Sequence, residues 1–212
     1  MCDLEVSKVL PVAGHLLQQG AKRWNIPLPV AHIDDRRVDL VEDAVDVAIR
    51  IGNLHDSSLV ARRIVPCRQV LCASPAYLKK HGTPERPEDL LEHNVILYSF
   101  LSHAREWRLI DEQGETHVVP LKGSLQTNNG LVNRAAALSG VGIIMLPTFY
   151  ISEQLRSGEL VPLLCKFRPT NIAVHAVYAE RRNLTPKVRA FIDFLAESFG
   201  PEPEWEQGLP LD

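Results

Sequence analysis

The chain has no Cys-x-x-Cys pair, no run of lysine and arginine, and no apolar stretch near the ~18 residues that span a membrane. Each absence removes a class. The four cysteines, Cys2, Cys67, Cys72 and Cys165, are scattered, so neither a zinc knuckle nor a thioredoxin-type site is supported. They read as reduced thiols, with Cys67, Cys72 and Cys165 as small hydrophobes on strands. The eight histidines never fall four apart on one helical face, so no metal is expected. Lys+Arg 23 against Asp+Glu 26 leaves a charge of −3, which is not a surface built to neutralise phosphates. Direct nucleic-acid binding by these residues is therefore disfavoured. GxSxG, HExxH, P-loop and GxGxxG signatures are all missing. The carboxylate pairs Glu42-Asp43 and Glu88-Asp89 fall on expected helix surfaces with nothing converging on them, so no catalytic residue and no cofactor is assigned. The N-terminal residues carry no basic leader followed by an apolar segment, and a cytoplasmic location with no membrane contact is expected.

What is present is an ordinary core-forming composition. Apolar residues make up 45% of 212, enough to bury one large domain or two of roughly 100 residues each. Leu4–Ser7, Pro27–Ile33 and Val45–Ile51 read as strands, with helix-like segments at Pro11–Trp24 and after Asp34-Asp35, the alternation of a parallel sheet with covering helices. Further on, Val70–Ala73 is apolar enough for a buried strand. Ser74-Pro75 then opens a helix that Gly82 closes, and Thr83-Pro84 repeats the device. Asn94–Tyr98 is another strand. Trp107–Asp111 and His117–Pro120 flank a polar turn with Gly114 at its tight position. Ser124–Gln126, the polar cap Thr127-Asn128-Asn129, the helix Leu131–Leu138, the glycines Gly140 and Gly142, and Ile143–Leu146 give strand, cap, helix, stop and buried strand. Thr148–Ser157 is helical up to Gly158, and Glu159–Leu164 and Asn171–Tyr178 are strand-like. Thr185-Pro186 opens a last helix with Val188, Phe191, Ile192, Leu195 and Phe199 on one face. The acidic, proline-bearing segment 201–212 is expected to be loose. Both halves alternate strands and helices, which points to two α/β lobes with a cleft facing helix N-termini.

Several runs taken in order resemble the LysR-type transcriptional regulators. They are Asp35-Arg36-Arg37-Val38-Asp39-Leu40-Val41-Glu42, Asp46-Val47-Ala48-Ile49-Arg50-Ile51-Gly52, Ser57-Ser58-Leu59-Val60-Ala61-Arg62-Arg63 and Cys72-Ala73-Ser74-Pro75-Ala76-Tyr77-Leu78. Glu106-Trp107-Arg108, Asn128-Asn129-Gly130, Gly140-Val141-Gly142-Ile143, Leu146-Pro147 and Lys187–Leu195 continue the series. The likeness is to the regulatory, effector-binding part of that family, without its N-terminal winged helix-turn-helix. It implies two Rossmann-like lobes joined by two crossing strands, a fold similar to periplasmic binding proteins. On that likeness residues 1–70 and 174–200 form effector-binding lobe I and 71–173 form lobe II, with the crossings near Pro66–Cys72 and Ile172–Tyr178. It also implies side-by-side association through lobe I, as a homodimer or higher homo-oligomer, and contact with DNA only through the winged domain.

In open α/β sheets, ligands bind where strands end at their carboxyl edge, and amide-rich helix starts hold anions there. That rule selects Ser7, Lys8 and Val9 after the first strand, and Ile51, Gly52 and Asn53 after the third. In lobe II it selects Thr127, Asn128 and Asn129, with Ser99, Leu101, Thr148 and Phe149 as further walls. The expected ligand is a small-molecule effector, with an organic carboxylate favoured by fold analogy. The alternatives are a stand-alone cytoplasmic small-molecule-binding protein, or a headless form acting by mixed dimerisation.

Overall fold

The computed structural model describes residues 3–6, 30–32, 40, 45–52, 59–99, 105–170, 172–179, 185–200 and 203–211. The expected helices at Pro11–Trp24 and after Asp34-Asp35 lie outside these residues. The chain divides into two compact units: Met1–Cys67 with Ile172–Glu204, and Arg68–Asn171 with Trp205–Asp212.

Unit 1 is built on a five-stranded sheet of β1 (Asp3–Val6), β2 (Val30–His32), β3 (Val47–Gly52), β4 (Leu59–Cys67) and β13 (Ile172–Ala179), in the order β2-β1-β3-β13-β4. β1 runs parallel to β2 and β3, and β13 runs antiparallel to β3 and β4. The parallel first half is what the early strand-helix alternation demands. β4 is largely an addition, since only its end, Pro66-Cys67, falls within an expected crossing strand. Its exposed Arg62 and Arg63 and its Pro66 break the apolar alternation. The β4–β13 ladder runs to the pair Cys67↔Ile172, where the division between the two units also falls. The last helix, Pro186–Phe199, begins at the Thr185 cap, whose hydroxyl accepts the Val188 N–H at 3.4 Å. Its stripe of Val188, Phe191, Ile192, Leu195 and Phe199 is buried, as the spacing requires.

Unit 2 opens with β5 (Gln69–Ala73), α1 (Pro75–His81) and a 3-10 turn (Pro87–Glu92), followed by β6 (Ile96–Tyr98). β7 (Glu106–Ile110) and β8 (Thr116–Pro120) form the hairpin, with Gly114 at φ 85° and β12 (Arg168–Pro169) alongside β7. Then come β9 (Leu125–Thr127), α2 (Gly130–Leu138), β10 (Ile144–Pro147), α3 (Thr148–Ser157) and β11 (Val161–Leu163). β5 pairs antiparallel with β10 and β11, and β6 pairs parallel with β9. A parallel bridge between Val95 and Ile143 splices the two groups, with the Ile96 N–H donating to the Ile143 carbonyl at 2.8 Å.

The period of two explains why β5 is continuously apolar. Val70 and Cys72 enter one core with Ile96, Ala137, Ile144, Ile151 and Leu155, while Leu71 and Ala73 enter the other with Tyr77, Leu90, Trp107 and Leu109. Two expectations change. The second helix does not start at Thr83-Pro84: the Asp89 carboxylate accepts the Glu85 and Arg86 N–H groups, each at 2.9 Å, and the turn begins at Pro87. Cys165 is not on a strand but exposed beyond β11, whereas Cys67 and Cys72 are buried. The tail is not loose where it is described. Trp205 is buried, and Leu209 and Leu211 pack against the core that holds Val70 and Ile144.

Candidate effector site

β6, β9 and β10 all run the same way, so their carboxyl ends share one edge of unit 2. The register Tyr98↔Thr127 sets Ser99 beside Asn128 at that edge. The Ser99 N–H donates to the Thr127 carbonyl at 2.9 Å, and the Ser99 hydroxyl reaches the same oxygen at 3.2 Å. The Thr127 hydroxyl donates to Asn133 Oδ1 at 2.6 Å and accepts the Asn129 N–H at 3.1 Å. Asn133 is 1% exposed, so Thr127 is anchored through a buried amide. Asn129 Oδ1 accepts the Leu131 and Val132 N–H groups at 2.9 and 3.2 Å and so caps α2. The positive end of α2 therefore lies at the strand ends. At Gly130 a Cβ would lie 2.8 Å from the Tyr150 ring, so a larger residue there would require that ring to move. Burial pushes the Tyr98 phenol at the end of β6 up to about 12, which keeps its hydroxyl protonated at neutral pH.

Ser99, Thr127, Asn128 and Asn129 are thus brought together. Ile51 and Gly52 end β3 in unit 1, paired with Val174 and Ala173, and Gly52 has φ 138°, a value that favours glycine. Thr148 and Phe149 stand at the end of β10, Thr148 turned inward and Phe149 half-buried. Thr148 is fully buried, its N–H donating to the Arg68 carbonyl at 3.0 Å and its hydroxyl to Glu206 Oε1 at 2.5 Å. Phe149 lies against Tyr150 and edge-on to Trp205. Ser7, Lys8, Val9, Asn53 and Leu101 lie outside the described residues. The sequence reading missed Arg68, Trp205 and Glu206. A tryptophan set among prolines and acids was the one available signal.

Among the described residues one group has metal-ligating chemistry: Asp111, Glu115 and His117, with ligand atoms within 4.8 Å of one another. Asp111 already accepts the Gln113 and Glu115 N–H groups at 3.0 and 2.8 Å, and His117 Nε2 is 3.0 Å from its other oxygen. The group fastens the β7–β8 turn. No helix among the described residues is long and apolar enough to cross a membrane.

Parallel strand ends meeting a capped helix start are the setting in which open α/β sheets bind ligands. The model of the LysR substrate binding domain matches residues 30–200, and the chain belongs to that family. It is 32% identical over 206 residues to the HTH-type transcriptional regulator CrgA of Neisseria meningitidis, covering 93% of this chain and 67% of CrgA. It is 35% identical over 162 residues to the transcriptional activator AaeR of Escherichia coli, covering 76% of this chain and 52% of AaeR. Among solved structures, the CrgA regulatory domain matches with a TM-score of 0.73 and 30% identity, over 94% of this chain and 98% of that one. The full-length virulence activator AphB of Vibrio cholerae matches with a TM-score of 0.79 and 28% identity, over 93% of this chain and 67% of AphB. The chain is therefore an effector-binding regulatory domain of a transcription regulator, with a periplasmic-binding-protein-like fold, in a family of regulators rather than enzymes.

Proposed function

We propose that a small organic carboxylate effector is held at the carboxyl edge of unit 2, against Ser99 and Thr127–Asn129. The observation that carries this is the convergence of two parallel strand ends with the capped start of α2. Anion binding suits such an end, because backbone N–H groups and the helix dipole favour negative charge. Ile51 and Gly52, and the expected Ser7, Lys8, Val9, Asn53 and Leu101, complete the proposed ligand set. Effector binding biases the regulator only through a difference in affinity between two arrangements. In the intact, cytoplasmic regulator that bias passes through a homodimer to the attached DNA-binding domains.

A thermal-shift screen of small organic acids tests the reading. An acid at ~100 times its Kd stabilises by about 2.7 kcal/mol. Asn128→Ala removes that shift. A hit that Asn128→Ala and Thr127→Val leave intact overturns the assignment. Light scattering of the purified chain reports the dimer.

A further inference from the structure

The tail brings a carboxylate to the same edge. Glu206 Oε1 accepts the Thr148 hydroxyl at 2.5 Å at the first residue of α3, and the Arg68 N–H at 3.4 Å. Its Oε2 lies 3.5 Å from Arg68 Nε. The Glu206 side chain is 10% exposed, so the charge is nearly out of water. Yet its buried Oε2 accepts no hydrogen bond, and the Arg68 side chain facing it is 59% exposed. A buried carboxylate with one oxygen ion-paired to an exposed arginine but not hydrogen-bonded is held below what its charge can gain, and is an occupant that can be displaced. A cavity of about 330 Å³ beside Arg68 is lined by Leu71, Leu163, Phe167, Arg168 and the tail's own Leu211. The contacts that attach the tail include Trp205 on Phe149, Leu209 and Leu211 on the core, and the Gln207 carbonyl on Arg156 at 2.8 Å.

We infer that Arg68 and Thr148 form a carboxylate seat filled by the chain's own Glu206, so that the C-terminal segment acts as a built-in competitor for carboxylate ligands of this edge. The inference rests on the proposed reading only in placing both groups at one sheet edge. A free carboxylate entering the seat takes the Thr148 hydroxyl and the Arg68 N–H, and the tail, having lost its charged anchor, lifts away. No covalent step is involved.

The test uses the full chain with sodium propionate, which reproduces the end of a glutamate side chain, against sodium chloride at equal ionic strength. Hydrogen exchange is followed at residues 205–211, and propionate binding by calorimetry. Losing the charged partner in Glu206→Gln speeds tail exchange roughly tenfold or more, while exchange at Leu71 and Ile144 is unchanged. The same variant binds propionate roughly tenfold more tightly than the parent, because the competitor is gone. Adding Thr148→Val to Glu206→Gln abolishes that gain. Tail exchange unchanged in Glu206→Gln, or propionate bound no more tightly, overturns the inference. Thr127→Val and Asn128→Ala separate it from the effector assignment. If they remove ligand binding in the acid screen while Glu206→Gln changes nothing, the seat fails and the proposed function stands. If Glu206→Gln behaves as expected and they change nothing, the reverse holds.

Discussion

Asn94 and Ser124 exchange two hydrogen bonds across the start of the β6–β9 pair. Asn94 Nδ2 donates to Ser124 Oγ and Asn94 Oδ1 accepts the Ser124 N–H, both at 2.9 Å. The same Nδ2 donates to the Val141 carbonyl at 2.7 Å. One amide therefore ties β6 to β9 and to the turn between α2 and β10, the elements whose far ends make the candidate site. Asn94→Ala leaves three groups without this partner and costs about 1–3 kcal/mol. Urea denaturation measures it. A loss under about 0.5 kcal/mol, the size expected of an ordinary surface change, means the amide is not a staple.

Gly142 stands against the same residue. A Cβ there would lie 2.4 Å from the Asn94 carbonyl oxygen and 3.0 Å from its carbon, both backbone atoms that cannot rotate aside. Gly158 is the natural control, since its φ of 77° disfavours a side chain but nothing lies within 4 Å. Gly142→Ala costs about 1–3 kcal/mol from crowding. Gly158→Ala costs about 1 kcal/mol from backbone strain alone. Equal losses in thermal melts contradict the crowding argument.

Elements bounded by their own chemistry were legible in the sequence. Ser74-Pro75 with Gly82, Thr148–Ser157 with Gly158, and Thr185-Pro186 each carry a start or a stop within the local chain, and the helices begin and end there. The cap Thr127-Asn128-Asn129 was readable for the same reason, because Asn129 bonds amides two and three residues on. What depends on distant partners was not legible. β4 exists through its ladder with β13, more than 100 residues away, and its exposed arginines hide it. Glu206 meets Thr148 across 58 residues, so neither the packed tail nor the inward turn of Thr148 shows in either local sequence.

Two histidines give opposite pH responses. The hydrogen bond to Asp111 holds His117 above its ordinary value of 6.5, helped by Glu88, whose Oε1 is 3.6 Å from Nδ1. That stabilisation is complete below pH 6.5 and is lost as pH rises through the raised value. The same bond holds Asp111 below 3.8, so its contribution is present above 3.8 and is lost as pH falls through the lowered value. Burial lowers His93, whose Nδ1 lies 3.2 Å from the Tyr77 hydroxyl, so stability falls as pH drops below 6.5. Urea titrations from pH 5 to 8 therefore show His117→Asn removing a loss on the alkaline side. His93→Gln removes one on the acid side. Profiles unaltered by His117→Asn refute the role given to the hairpin pair.

The cysteines differ in reach more than in number. Cys72 is fully buried in the middle of β5, and burial pushes its thiol far up, so almost no thiolate is available to react. Cys67 is 2% exposed at the end of β4. Cys165 is exposed beside the cavity that also holds Arg68 and Arg168. Among the described cysteines, iodoacetamide under native conditions therefore labels Cys165 first, with Cys67 and Cys72 labelled only after denaturant is added. Peptide mass spectrometry at successive times reads the order. Early labelling of Cys72 means that β5 opens without global unfolding, and β5 is then not the stable centre of unit 2.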